Sequence, residues 1–186
     1  MIAFVDESIR SRQGLYLLAA VVFPESEAET CRWSLLGLLR RGQTRIHWRD
    51  QDQSGRLAML ERIIEFRVPS LTYACTKHVG FPLERARALC LNRLLWDLKA
   101  SEIEELVLES RRPYNDEIDR KRIAAAQRAR WASKTLHYRH ERPLNEPLLW
   151  TPDAAAGATA DHLLMGARSA YASSLRRMLE VRREVS

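Results

Sequence analysis

Residues Leu15 to Phe23 form an unbroken run of nine apolar side chains, set between Gly14 and Pro24. A membrane-spanning helix needs about 20 such residues, so the run is too short to cross a bilayer. It is rich in Val, Leu, Tyr and Phe, and proline stops it, so it reads as a strand. Ile2-Ala3-Phe4-Val5 is a second, shorter apolar run, strand-like and buried on both faces. The segment between them, residues 8–14, is polar and ends in glycine, which predicts a hairpin.

The rest of the chain alternates. Helices are predicted over Glu25–Arg41, Ser54–Phe66, Pro82–Lys99 and Asp116–Ala132. Strands are predicted over Ser70–Lys77, Glu105–Glu109 and Thr135–Tyr138. The pattern from Pro152 to Arg183 is helical, interrupted near Gly157 or Gly166. Strands that alternate with amphipathic helices bury both by packing helices on a sheet, so the fold class is α/β. At 186 residues the chain is one domain. With 46% hydrophobic and 29% charged residues it is neither a disordered chain, a fibre nor a membrane channel. Three cysteines, an odd number without a Cys-x-x-Cys pair, argue against a disulfide framework or a thiolate zinc site. Asp6 and Glu7 break any signal-peptide apolar region. These features predict a cytoplasmic protein with no membrane partner, and they leave a homo-oligomer open.

Function is suggested by where the acids fall. The first strand meets Asp6 and Glu7, and the later strand Leu106-Val107-Leu108 meets Glu109. Ligands of open α/β sheets gather at the carboxyl ends of strands, so parallel neighbours here would set Asp6 beside Glu109. Asp153 opens the last helical segment, and the small side chains of residues 154–158 let that helix lie close to a sheet. Acid after a strand is also a common turn pattern, and Asp153 is equally a good helix-start residue. Three close carboxylates repel, and a divalent cation relieves them. Oxygen ligands suit Mg²⁺ or Mn²⁺, and such ions support phosphodiester hydrolysis.

These same residues carry a resemblance. Ile-Ala-Phe-Val-Asp-Glu-Ser at 2–8 and Tyr-Leu-Leu-Ala-Ala-Val-Val-Phe at 16–23 resemble the opening of domain-of-unknown-function family 3800 (DUF3800). So do Ile46-His47-Trp48-Arg49-Asp50, Leu108-Glu109-Ser110 and Thr151-Pro152-Asp153-Ala154. The likeness spans nearly the whole chain through short motifs. It departs from the family at Ile9, where glycine is common, and at Glu109, where Asp is common. The resemblance implies a ribonuclease-H-like mixed sheet of about five strands with helices packed on it. It also implies that Asp6, Glu109 and Asp153 are metal-binding acids, and it draws attention to His47. Glu7 is a supporting candidate, although alternation along a strand turns it away from Asp6. Asp50 and Asp119 read as solvated charges flanking helices. Asp161 lies about 12 Å along a helix from Asp153, too far for the same ion but within reach of a substrate. His137 and His140 fall on opposite faces of a strand and make no metal pair.

Residues 111–142 hold ten Lys or Arg against four acids, an excess equal to the whole net charge of +6. Beginning just after Glu109, this excess predicts a cationic wall beside an acidic pocket, with Arg111, Arg112, Arg120 and Lys121 holding phosphate and Tyr114, Trp131 and Tyr138 stacking bases. The expectation is a metal-dependent nuclease or phosphodiesterase acting on DNA or RNA. The alternative is a catalytically silent module that binds nucleic acid or protein on the same scaffold.

Overall fold

A computed structural model describes residues 1–77 and 79–185. Strand β1 (Ile2–Arg10) turns through Gly14 into β2 (Leu15–Phe23), followed by helices α1 (Glu25–Leu36) and α2 (Gln53–Phe66). Next come β3 (Pro69–Thr76), α3 (Leu83–Ala100), β4 (Glu105–Glu109), α4 (Pro113–Arg128) and β5 (His137–Glu141). The chain ends with α5 (Trp150–Met165), α6 (Ala172–Arg177) and β6 (Leu179–Glu184). The strands form one mixed sheet in the order β5-β4-β1-β2-β3-β6. β1, β2 and β3 are antiparallel neighbours, β4 pairs β1 and β5 pairs β4 in parallel, and β6 runs parallel to β3. The α/β class is therefore as expected, with six strands rather than about five.

All nine residues of β2 are buried. β2 lies inside the sheet with a helical layer on either face, which is why its sequence carries no polar alternation. On one face Phe4, Leu17, Val21 and Phe23 pack with α1, α2, α5 and α6. On the other, Ala3, Val5, Leu18 and Ala20 pack with α3 and α4. The cysteines Cys31, Cys75 and Cys90 are free and buried. No helix among the described residues is long and apolar enough to cross a membrane.

Several boundaries move for identifiable reasons. β1 runs on to Arg10 because β2 continues to pair with it beyond Val5. Pro113 opens α4 from the first helical turn, where a missing N–H costs nothing. β5 sits at His137–Glu141 because the β4 ladder, Glu105↔His137 to Glu109↔Glu141, sets its register. The largest correction is at the C-terminus. α5 runs unbroken through Gly157 and stops at Gly166, whose φ is +59°. The chain then forms α6 and the edge strand β6 rather than one helix to Arg183. The free edge of β3 gives residues 179–184 a backbone partner that local helix propensity cannot offer. Gly157 is not a break but a seat. A Cβ there would lie 2.3–2.6 Å from Trp48 ring atoms, so only glycine admits the indole.

Candidate functional site

Parallel pairing of β1 with β4 runs from Ile2↔Glu105 to Val5↔Leu108. The next residues on the two strands, Asp6 and Glu109, therefore emerge side by side. Phe4 and Val107 face the α5 layer. Side chains two positions on repeat that face, so both carboxylates point toward α5. Asp153, in the first turn of α5, completes the group. Its helix comes close because residues 154–158 are alanine and glycine, all buried against the sheet.

Asp6 is buried. Its pKa is held well above the usual carboxylate value, first by burial, then by contact with Glu109 and by the charge of Asp153. The opposing influence is the Glu7 backbone N–H, which donates to Asp6 Oδ1 at 2.6 Å. Among the described residues no Lys or Arg forms an ion pair with Asp6 or Glu109. The carboxylates line two spaces. One is an open cleft of about 680 Å³, and the other is a void of about 20 Å³ lined by Asp6, His47, Glu109 and Asp153 together with Arg45 and the apolar Ile46, Pro143, Leu149 and Trp150. The smaller space is the size of one water or small ion.

Among the described residues no group of three or more His, Cys, Asp or Glu side chains is placed so that it could hold a metal ion as it stands. Asp153 is instead engaged from the side. Its Oδ2 accepts the Trp48 backbone N–H at 2.7 Å and lies 3.0 Å from His47 Nδ1. That nitrogen is off the line of a hydrogen bond and stays an unpartnered buried atom. The contact with Asp153 nonetheless raises the imidazole pKa, against the effect of burial.

Trp48 spans the face of α5. Asp153, Gly157 and Asp161 stand four residues apart, so they share one helix face. The indole lies over Gly157 and donates from Nε1 to Asp161 Oδ2 at 3.3 Å, while the Trp48 backbone holds Asp153. Asp161 Oδ1 also takes Arg10 Nη2 at 3.1 Å, and its Oδ2 lies 3.9 Å from Arg56 Nη1. The Arg56 guanidinium stacks on the Trp48 ring, 5.1 Å from the centroid.

Other expected residues go elsewhere. Glu7 faces the opposite helical layer, where Arg87 Nη1 lies 2.7 Å from its Oε2 and the Tyr16 hydroxyl donates to it. Strand alternation thus removes it from the acidic group. Arg111 lines the cleft, but its guanidinium is bound 2.6 Å from Glu84 Oε1 and 3.2 Å from Asp119 Oδ1. Arg112 is exposed at the start of α4, outside the cleft lining. Arg120 and Lys121 pair with Glu117 at 2.8 Å and 3.8 Å. Trp131 lines a separate groove with Lys121 and Arg122. The cationic wall expected from residues 111–142 is therefore not at the acids.

Asp119 is not solvated either. It is 1% exposed and bound by Arg87 at 2.7 Å, with His140 Nε2 at 3.5 Å. Burial pushes its pKa up, but the contacts with His140, Arg87 and Arg111 outweigh burial and hold it well below the usual carboxylate value. His137 is exposed while the His140 ring is buried, on opposite faces as expected.

The residues that replace the expected wall are Arg10, Arg49 and Arg56, which line the same cleft as the acids. Arg10 was legible in principle, because residues 6, 8 and 10 of one strand share a face. Arg49 and Arg56 reach the cleft only through the fold of the His47–Arg56 segment onto α5. No family model, curated protein or solved structure matches this chain.

Proposed function

We propose that this protein is a metal-dependent nuclease, on a ribonuclease-H-like fold, that hydrolyses phosphodiester bonds of DNA or RNA. The observation that carries the proposal is the buried Asp6 carboxyl beside Glu109 and Asp153, with no cation paired to Asp6 or Glu109 among the described residues. A buried like-charge group is costly unless a counter-charge arrives from outside. The carboxylate oxygens of Asp6, Glu109 and Asp153 are the donor type that Mg²⁺ or Mn²⁺ takes, and the three side chains would have to close further on the ion to hold it. A bound ion of this kind would lower the pKa of a coordinated water and offset charge on the scissile phosphate. The chain's own part is to hold ligands in place. The β1–β4 register positions Asp6 and Glu109. The Trp48 N–H orients Asp153, and His47 stands beside its carboxylate. The ribonuclease-H-like fold is supported by the β1-β2-β3 meander extended by parallel β4 and β5, and a cytoplasmic site of action by three free thiols.

The engagement of Asp153 by Trp48 and the lack, among the described residues, of a group placed to hold a metal ion as it stands favour a second reading, a binding module without turnover. Calorimetric titration with Mn²⁺ separates the two, since only the enzyme binds the ion through Asp6. Cleavage of a labelled oligonucleotide in Mg²⁺ or Mn²⁺ should disappear in Asp6→Asn and in Asp153→Asn, with folding retained. Metal-dependent cleavage persisting in both variants rejects the assignment.

A further inference from the structure

We infer that the cleft takes a nucleic-acid strand across at least two phosphates, with the scissile phosphate at Asp6, Glu109 and Asp153 and a neighbouring phosphate on Arg10, Arg49 and Arg56. The inference rests on the phosphodiesterase reading above and adds the extent of its substrate. Its basis is the segregation of charge along α5. Eight residues separate Asp153 from Asp161, which is about 12 Å along a helix. Three carboxylates gather at the first point, and two guanidiniums converge on one carboxylate at the second. The second end therefore keeps a positive remainder. Arg49 adds to it, with a side chain 82% exposed whose only ion pair among the described residues is a 3.9 Å contact to Asp50.

Such spacing suits a chain of phosphates rather than a mononucleotide or a small diester. The acidic end by itself repels an anion, and a cationic site one or more phosphates away offsets that repulsion. Bases play little part. Among the described residues the only aromatic side chains in the lining are His47 and Trp48, and the Trp48 ring is buried under Arg56. Contacts of this kind position a backbone and carry no sequence information.

The test is fluorescence-anisotropy binding of labelled dT12 and dA12 in EDTA, in an Asp6→Asn background that cannot cleave. The two oligonucleotides should bind equally. With the wild-type chain and Ca²⁺ in place of EDTA, so that a cation offsets the acidic end, the dinucleotide pTpT should displace them at least about tenfold better than thymidine monophosphate, as an added phosphate contact requires. Arg49→Ala, at an exposed side chain, should weaken binding about three- to tenfold and reduce the slope of log affinity against log salt by about 0.7, the single-strand value for one phosphate. Arg10→Gln, with folding checked by melting, should act in the same direction.

Unchanged binding in both variants overturns the inference. So does equal displacement by thymidine monophosphate, an absence of oligonucleotide binding, or a loss confined to Arg112→Ala, Arg120→Ala and Lys121→Ala. The two proposals fail separately. Binding through Arg10 and Arg49 without cleavage by the wild-type chain sinks the hydrolase alone. Hydrolysis of bis-p-nitrophenyl phosphate with no oligonucleotide binding sinks the two-phosphate site alone.

Discussion

Replacing Asp6 by Asn should make the metal-free protein more stable at neutral pH. Asp6 is buried against Glu109 and near Asp153, and its carboxyl is raised well above the ordinary value of 3.8. Asn keeps an amide oxygen to accept the Glu7 N–H, the one favourable contact, which measures 2.6 Å. The charge it removes is unfavourable. Two carboxylates about 4 Å apart repel by about 4 kcal/mol at an effective dielectric of 20. Proton uptake caps the cost, because protonating an acid of pKa 3.8 at pH 7 takes about 4 kcal/mol at about 1.4 kcal/mol per unit. A gain of about 2 kcal/mol falls inside these limits and corresponds to about 4–8 °C in Tm for a chain of this size.

The sign with pH follows from linkage. With a folded-state pKa above the unfolded one, the folded protein binds more protons. The penalty is absent below 3.8, grows as pH rises through the raised folded value, and stays constant above it. Differential scanning calorimetry of both proteins in EDTA across this range should show the Tm gap open on that schedule. Mn²⁺ should then close it by stabilising the wild type, by about 2.7 kcal/mol at one hundred times its Kd, while leaving Asp6→Asn nearly unmoved. An Asp6→Asn protein that melts below wild type at pH 7 in EDTA would falsify the claim that these acids are held together under repulsion.

Gly157→Ala should lower stability by about 1–3 kcal/mol, the usual cost of overpacking, because its Cβ would meet the Trp48 ring at 2.3–2.6 Å; chemical denaturation followed by tryptophan fluorescence reads this. The same variant should weaken Mn²⁺ binding, since a displaced Trp48 releases Asp153 and Asp161 together. Arg87→Ala should cost about 3–5 kcal/mol, leaving Glu7 without its guanidinium and the buried Asp119 with Arg111 as its remaining one, and an unchanged urea midpoint would refute that role. Asp119, with its depressed pKa, contributes stability that is present above the unfolded value of 3.8 and lost as pH falls through its folded value. The acid limb of the wild-type stability curve should therefore be steeper than that of Asp119→Asn.

How much of this was legible in the sequence depends on how local each feature is. The β1–β2 hairpin, the buried β4 and the helices between them follow from apolar periodicity and from glycine and proline punctuation, which act over a few residues. Glu109 and Asp153 were legible as strand-end and helix-start residues, whereas Asp6, expected at a strand end, lies inside β1 just past the end of its ladder with β4. Glu7 could be set apart from Asp6 by alternation alone. The arginines could not be sorted in this way. Arg111 follows Glu109 closely in sequence, yet Glu84 and Asp119 take its guanidinium. Arg49 and Arg56 lie far from every strand of the site in sequence and still line its cleft.

By itself, then, the amino-acid order determined which side chains alternate, which segments must be buried and where acids would stand on their elements. Only the tertiary structure decided that residues about a hundred positions apart share a register, that Asp119 is enclosed by cations rather than water, and that residues 179–184 form an edge strand instead of continuing a helix. The physical reason is range. Propensity and periodicity are properties of a short window, whereas the partner of a charge or of a free backbone edge is whatever packing brings beside it.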